Sequence, residues 1–231
     1  MRRNPSRDWT DYDEGLLYTL WVVDCLLTDR ANQLQYVNPP FVIDHTGGER
    51  IYAQAPFQLL EWAAPGDGTY QHDSSFFFAT GRGGLTMTAA AAVFGAHGNA
   101  RRRAQATQSA VPRWLPADQG TAWVSSHGFW IQTMRGLFPW PWESVAGMQV
   151  VNQGNVQLQG SSTAGPVSWQ VVSPAAELMF ALWVLTRRVP HPQWMNRDWI
   201  PPNWIHWASE RGKRLPFTDA GDIDVSLDAL E

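Results

Sequence analysis

Residues 121–134 have the sequence TAWVSSHGFWIQTM, and this stretch decides the fold of the region around it. Two strand-like runs, 121–126 and 129–134, flank His127-Gly128, a pair suited to a tight turn, so the pattern predicts a β-hairpin. More strand-like runs follow at 144–151, 156–159 and 167–172, separated by stretches rich in Asn, Gly and Ser. Four or five short strands in series predict an antiparallel meander.

A helix is predicted directly after the last of these strands. Ser173 is suited to cap the helix and Pro174 to occupy its first turn. Apolar residues fill every position from 178 to 185, so this helix is expected to be buried on most sides. Basic residues and a proline at 187–190 end it. Residues 112–190 are therefore predicted to form an α+β unit, a meander or sandwich closed by a C-terminal helix.

The N-terminal part, residues 1–111, has a less regular pattern. Leucine and valine recur at spacings of three and four within 16–27, which predicts an amphipathic helix whose preceding acids favour the positive end of its dipole. Residues 50–62 are strand-like, but Pro56 in their middle predicts an edge strand or two short pieces. An aromatic run, a glycine loop and an alanine-rich stretch at 85–106 predict a further strand, loop and helix.

The order of these elements resembles a bacterial pleckstrin-homology-like (PH-like) domain. In that family a strand hairpin leads to a Trp, a short linker and a strand that opens with Ile or Val, as in Trp140-Pro141-Trp142-Glu143-Ser144-Val145. The region 122–188 also resembles uncharacterised proteins of actinobacteria or their phages. The resemblance covers about a third of the chain and implies a seven-stranded sandwich that serves as a protein-binding scaffold. Either strands from residues 50–80 complete the seven, or the resemblance is partial.

Tryptophan is concentrated in the last predicted segment, residues 191–231, which ends in an acidic tail. Its four rings are Trp194, Trp199, Trp204 and Trp207. Because aromatic side chains bury a large area, these rings are expected to cover the core or a partner surface. Another candidate contact for an acidic partner is the basic run at the end of the alanine-rich stretch, formed by Arg101, Arg102 and Arg103; charge at a solvated helix end is its simpler interpretation.

Two other classes of function stay open. Gly81-Arg82-Gly83-Gly84, between a strand-like run and a helix-like one, is similar in outline to a phosphate-binding turn, which would suit a nucleotide- or anion-binding enzyme or sensor. The match lacks the Gly-Lys-Ser/Thr ending of a P-loop. Alternatively, Trp199, Trp204 and Trp207 with Lys213-Arg214 would place the protein on a membrane surface.

Composition narrows these options. Twenty-one acidic against 17 basic residues give a formal charge of −4, which disfavours nucleic acid as a partner. The one cysteine, Cys25, lies in an apolar run that favours a buried, inert thiol. The six histidines show no metal-ligand spacing, and neither a catalytic constellation nor a cofactor motif beyond the glycine loop is evident.

The leading prediction is therefore a non-enzymatic interaction or scaffold protein without a cofactor. Its partner is expected to be a protein, with self-association as a further option. No apolar run approaches the length of about 18 to 20 residues that crosses a bilayer, and the N-terminus is a poor secretory signal. A cytoplasmic location is the corresponding expectation.

Overall fold

A computed structural model describes residues 7–43, 48–63, 111–163 and 165–216 as one sheet with helices packed on it. In chain order the helices and strands are α1 (Asp11–Leu27), β1 (Ile51–Ala63), β2 (Arg113–Ser125), β3 (Gly128–Thr133), β4 (Gly136–Pro141), β5 (Val145–Asn152), β6 (Asn155–Ser162), β7 (Gly165–Val172), α2 (Ala176–Arg187), α3 (Pro192–Met195) and α4 (Trp204–Glu210). Single turns of 3-10 helix lie at Ala31–Gln33 and Trp142–Ser144.

The seven strands of the described residues form one antiparallel sheet in the order β4-β3-β2-β1-β7-β6-β5. From β1 the chain builds one side of the sheet through β4, then crosses to the other edge and returns through β5 and β6 to place β7 beside β1. The predicted α+β class and antiparallel strand pairing are confirmed, while the crossover from β4 to β5 divides the predicted meander into two parts. Strand β1, which comes from the predicted N-terminal part, lies at the centre of the sheet between β2 and β7.

The predicted hairpin is confirmed, with the turn one residue earlier than expected. Val124 pairs with Phe129, and the two-residue loop is Ser126-His127. Gly128 instead opens β3, where a Cβ atom would lie only 2.1 Å from the carbonyl oxygen of Trp140 on β4. The glycine is therefore needed for the close approach of two strands rather than for the turn.

Six strands follow residue 112, where the sequence predicted four or five. The strand that the pattern did not predict is β4, which contains Pro139 and Pro141. Both prolines lack a backbone N–H, but among the described strands β4 is an edge strand whose one neighbour is β3, and proline is tolerated at such an edge.

The prediction that Pro56 breaks its strand or confines it to an edge was wrong, because β1 is one continuous strand of 13 residues between β2 and β7. The physical reason lies in the pairing. Strand β2 pairs with β1 along its length, but β7 pairs only with residues 58–61. At Pro56 this central strand therefore has, among the described strands, a neighbour on one side only.

The predicted helix after β7 is confirmed as α2, but its predicted cap is wrong. The helix begins at Ala176, beyond Pro174, and no side chain caps its first turn. Ser173 instead accepts a 3.1 Å hydrogen bond at Oγ from the N–H of Ala175, within the turn that joins β7 to the helix. Every residue of α2 from Ala176 to Leu185 is buried, which confirms a helix enclosed on most sides.

The core lies between the inner face of the sheet and the two long helices, α1 and α2, which pack against each other. Helix α1 confirms the predicted N-terminal helix, and Cys25 on it is buried as expected. The α1 start is fixed by a capping box in which Thr10 and Asp13 bond reciprocally. In the part of the chain that the structure describes, no helix has the length and apolarity to cross a membrane.

Candidate functional site

A groove of about 410 Å³ lies between α1, the first half of β1 and the start of α2; we call it the α1–β1 groove. Its lining residues are Asp11, Glu14, Gly15, Tyr18, Ala53, Gln54, Ala55, Pro56, Pro174, Ala175 and Leu178. This volume is in the range of clefts that bind small molecules or short segments of a partner. Apolar side chains from α2 and β1 form much of its floor.

One wall of the groove is an unpaired stretch of strand edge. Residues 53–56 of β1 have β2 on one side, whereas on the other side β7 ends opposite Gln58. After Val172 the chain leaves the sheet and turns into α2. Among the described strands none pairs with residues 53–56 on the groove side, where Pro56 contributes a carbonyl group but no N–H.

Gly15 sets how closely α1 approaches the end of the groove. A Cβ atom on this residue would lie 1.9 Å from the carbonyl oxygen of Pro174. No side chain larger than hydrogen fits there without displacement of α1 or of the β7–α2 turn. The distance between these two walls therefore depends on a single glycine.

Tyr18 links the helix wall to the strand wall. Its hydroxyl donates a 2.6 Å hydrogen bond to the carbonyl oxygen of Tyr52, just before the unpaired edge. Burial, with smaller contributions from Tyr52, Cys25 and Tyr36, raises the pKa of Tyr18. The hydroxyl therefore remains a donor at physiological pH and holds α1 to β1.

The rim of the groove is acidic. Asp11 and Glu14 are exposed on the first turns of α1, and none of the lining residues is basic. Glu14 is partly engaged, since it accepts a 2.7 Å hydrogen bond from the Trp9 indole and forms a 3.2 Å ion pair with Lys213. Asp11 is left as the more available carboxylate for a positively charged group.

Asp13 lies on the other face of the same helical turn and is fully buried. Its carboxylate accepts hydrogen bonds from four side chains: Thr10, Gln153, Arg7 and Trp204. Burial alone would raise the pKa of Asp13, but these donors together lower it well below its ordinary value. Asp13 thus joins the start of α1 to the β5–β6 turn and to α4.

Glu177, in the first turn of α2, is also fully buried. Its Oε1 accepts a 2.6 Å hydrogen bond from the N–H of Gly154, while Oε2 has no hydrogen-bond partner among the described residues. Burial raises the pKa of Glu177 to about 7; hydrogen bonds from backbone N–H groups oppose this rise and the nearby charge of Asp13 adds to it. The two carboxyl groups hold the β5–β6 turn between α1 and α2, the helices that border the groove.

Three of the four tryptophans predicted to cover the core or a partner surface belong to the core of the chain. Trp194, Trp199 and Trp204 are 0%, 2% and 3% exposed. Trp194 and Trp199 stack with ring centroids 5.6 Å apart, and Trp204 donates to Asp13. For these three rings the structure therefore shows the first of the two predicted alternatives, the core, because helices α3 and α4 direct them inward.

Trp207 alone is half-buried, at the junction of the two ends of the described chain. Its ring stacks on Trp9 with centroids 5.2 Å apart, and the guanidinium groups of Arg7 and Arg211 lie over it at 5.3 and 4.5 Å. Lys213 contacts the Trp9 ring at 4.2 Å. This cluster joins the N-terminal segment to α4.

The remaining sequence candidates lie outside the described residues. These are Gly81-Arg82-Gly83-Gly84, the basic run Arg101, Arg102 and Arg103, and the acidic tail. Within the ranges that the structure describes, no group of three or more His, Cys, Asp or Glu side chains is arranged to hold a metal ion.

Neither the groove nor the two buried acids was predicted from the sequence, although the sequence contains a pattern that indicates each acid. The capping box places Thr10 three residues before Asp13, and Glu177 is a lone carboxyl next to a run of eight apolar residues. Both signals indicate special positions, but neither shows that the two carboxyl groups approach the same turn. When the chain is compared with known proteins, no family model, no curated protein and no solved structure matches it.

Proposed function

We propose that this protein is a non-enzymatic interaction protein, built on a PH-like sandwich, that binds a segment of a protein partner in the α1–β1 groove. The observation on which the proposal chiefly rests is a groove with a largely apolar lining, bordered by residues 53–56 of β1, which no described strand pairs on that side. Backbone groups at such an edge and apolar side chains beside it are what a binding protein offers to a peptide segment.

The PH-like part of the proposal is supported by the count and order of strands. Seven antiparallel strands closed by a buried helix match what the resemblance implies, and β1 is the strand that completes the set. A fold of this kind has no fixed activity, so the function is argued from the groove. A cytoplasmic location belongs to the same proposal.

The two alternative functions receive no such support. The membrane hypothesis relied on Trp199, Trp204 and Trp207, and the first two are buried in the core. The anion hypothesis relied on Gly81-Arg82-Gly83-Gly84, which lies outside the described residues. We therefore propose the interaction function alone.

The test compares two substitutions on the same strand. Gln54→Trp adds bulk at an exposed residue that lines the groove, and Gln58→Trp adds the same bulk at an exposed position outside it. Proteins retained from source-cell lysate by the tagged wild type are identified, produced in pure form and titrated calorimetrically against all three forms. We expect Gln54→Trp to weaken binding of the true partner at least about tenfold, which corresponds to about 1.4 kcal/mol, and Gln58→Trp to leave it unchanged.

Either of two results would contradict the proposal. One is a partner that binds both variants as tightly as the wild type, since the groove would then not be its site. The other is the absence of any protein that wild type and Gln58→Trp retain and Gln54→Trp loses. Circular dichroism and thermal unfolding of both variants verify that they are folded.

A further inference from the structure

A second pocket, of about 220 Å³, lies at β5, which β7 and β6 separate from β1; we call it the amide pocket. The described residues that line it are Gly147, Met148, Gln149, Gln157, Gln159 and His191. Three of these six are glutamines, and none is Asp, Glu, Lys or Arg. The pocket shares no described residue with the α1–β1 groove.

The three glutamines share one face of the sheet. Gln149 and Gln157 are directly paired across β5 and β6, and Gln159 lies two residues further along β6 on the same side. The alternate residues Met148 and Leu158 belong to the core on the other face. Strand geometry therefore holds the Cβ atoms of the three glutamines within about 8 Å of one another.

The amide groups of the pocket are only weakly engaged. Gln149 donates to Oε1 of Gln157 at 3.4 Å, which is longer than the common range of about 2.7 to 3.2 Å. Gln159 forms no side-chain hydrogen bond with another described residue. A ligand can therefore bond to these amides without first breaking a strong interaction.

His191 borders the pocket as a neutral imidazole. Its Nδ1 accepts a 3.2 Å hydrogen bond from the N–H of Gln193, so the ring proton is on Nε2. Burial lowers the pKa of His191, which keeps the ring uncharged at physiological pH. Gln193 in turn bonds to both backbone groups of Val150, at 2.9 and 2.8 Å, and so fixes the start of α3 against β5. His191 thus adds a positioned N–H donor to the three amides.

Gly147 provides part of the space. It lies directly opposite Gln159, and its φ is outside the left-handed region. A Cβ atom on Gly147 would have no heavy atom within 4 Å. The backbone does not need a glycine here, so a larger side chain would occupy the pocket without straining the strand.

The uncharged lining narrows the class of ligand. A charged group would leave water without meeting an opposite charge on the described lining residues, which is costly. An apolar group would leave the amides without partners. The ligand that fits is therefore neutral and both donates and accepts hydrogen bonds, as the glutamine amides do.

The number of polar groups narrows it further. A single carboxamide of a peptide side chain would satisfy only part of three glutamines and an imidazole, whereas a sugar ring carries several hydroxyl groups, each a donor and an acceptor. The volume is below the roughly 300 Å³ of clefts for drug-sized ligands, so it suits one ring. Beyond the proposed function, we infer that the amide pocket binds a single uncharged sugar residue, free or at the end of a glycan, through Gln149, Gln157 and Gln159.

The experiment measures sugar binding to the full chain by saturation-transfer NMR, which detects weak complexes. The ligands are the methyl glycosides of glucose, galactose, mannose and N-acetylglucosamine, the trisaccharides that end in each of them, and two charged relatives, glucuronic acid and glucosamine. Gly147→Ile fills the pocket, and Ala146→Ile adds the same side chain at an exposed neighbour outside the lining. Gln157→Leu removes a lining amide, and Gln119→Leu removes an exposed amide elsewhere.

We expect at least one neutral glycoside to bind with a Kd of about 1 to 10 mM. Gly147→Ile and Gln157→Leu should weaken it at least about fivefold, the effect of one lost hydrogen bond, and the two controls should leave it unchanged. The charged relatives should bind at least about fivefold more weakly. A trisaccharide that binds as tightly as its terminal glycoside indicates the end of a glycan as the ligand, and weaker binding indicates a free sugar.

The inference would be overturned if none of the four glycosides showed saturable binding, or if Gly147→Ile and Ala146→Ile affected binding equally. Tighter binding of glucuronic acid or glucosamine would overturn the assignment of an uncharged ligand. Circular dichroism verifies that the variants are folded. Failure here would leave the proposed function untouched, since that function is tested at Gln54 in the α1–β1 groove.

Discussion

Glu177 is a buried carboxyl group between Ala176 and Leu178, with one oxygen bonded to the N–H of Gly154 and the other without a described partner. Removing a charged carboxylate from water is costly, and Asp13 nearby adds repulsion. The protein lowers this cost by keeping Glu177 protonated up to neutral pH. The residue is therefore a source of pH-dependent stability.

The raised pKa of Glu177 decides how its contribution to folding stability changes with pH. Burial raises the pKa of Glu177 from 4.5 to about 7, so between these values the folded chain keeps a proton that the unfolded chain has lost. The stability contributed by this group is fully present below pH 4.5 and is lost as the pH rises to about 7. We expect Glu177→Gln, which is neutral throughout, to gain stability relative to wild type by about 2 to 3 kcal/mol between pH 4.5 and pH 8.

Urea unfolding followed by tryptophan fluorescence at several pH values measures this difference. Glu143→Gln, which removes an exposed carboxyl group, is the matched control for the change from Glu to Gln. A Glu177→Gln variant whose difference from wild type is the same at pH 4.5 and pH 8 would show that Glu177 is not protonated in the folded protein.

At the scale of the elements, the two sides of the sheet end in different ways. Two prolines in β4 remove N–H groups that a further strand would need. On β5 the backbone of Val150 is instead bonded by Gln193, a residue of the short helix α3. Helix α3 therefore positions a side-chain amide that occupies the backbone groups of an edge strand.

We expect Gln193→Ala to lower the free energy of unfolding by about 1 kcal/mol and to increase self-association, because the N–H and C=O groups of Val150 become available to a second chain. Sedimentation velocity over a range of concentrations measures the association. Gln149→Ala, at an exposed position on the same strand, provides the comparison. If both variants sediment like the wild type at every concentration, Gln193 does not protect this edge.

At the scale of the whole molecule, one buried carboxylate joins parts that are far apart in the sequence. Asp13 receives hydrogen bonds from Gln153 and Trp204, 140 and 191 residues further along the chain. With Thr10 and Arg7 these donors connect the start of α1, the β5–β6 turn and α4. The described N- and C-terminal segments are thus held to the sheet through a common acceptor.

We expect Asp13→Ala to destabilise the protein by about 3 kcal/mol, because several buried donors lose their acceptor together. Chemical denaturation measures the loss, with Asp11→Ala as an exposed control in the same helical turn. Since the pKa of Asp13 is lowered in the folded state, its contribution is present above about pH 3.8, the ordinary value, and is lost as the pH falls further. The difference in the free energy of unfolding between wild type and Asp13→Ala should therefore become smaller in acid. Equal stability of Asp13→Ala and Asp11→Ala at pH 6 would contradict the role of Asp13.

Local patterns were sufficient to predict much of this fold. The spacing of apolar residues indicated α1 and α2, and the alternation around His127 indicated the hairpin, because both depend on neighbours within a few positions. Pro56 led to a wrong prediction, and Pro139 lies in the one strand after residue 112 that was not predicted. The cost of a proline in a strand depends on whether a partner lies on its N–H side, and that is a property of the assembled sheet.

Local sequence patterns do not predict the candidate site, because its parts come together only through long-range packing. Composition and periodicity established an α+β chain with a buried thiol and a fully enclosed helix, because burial follows from apolar content. The unpaired edge of β1 arises where β7 ends, the groove exists because Gly15 admits Pro174, and the tryptophans near the C-terminus lie inward because α3 and α4 fold back. Each of these depends on which distant segments become neighbours, and the free energy that selects those neighbours is summed over the whole core rather than contained in any one stretch of sequence.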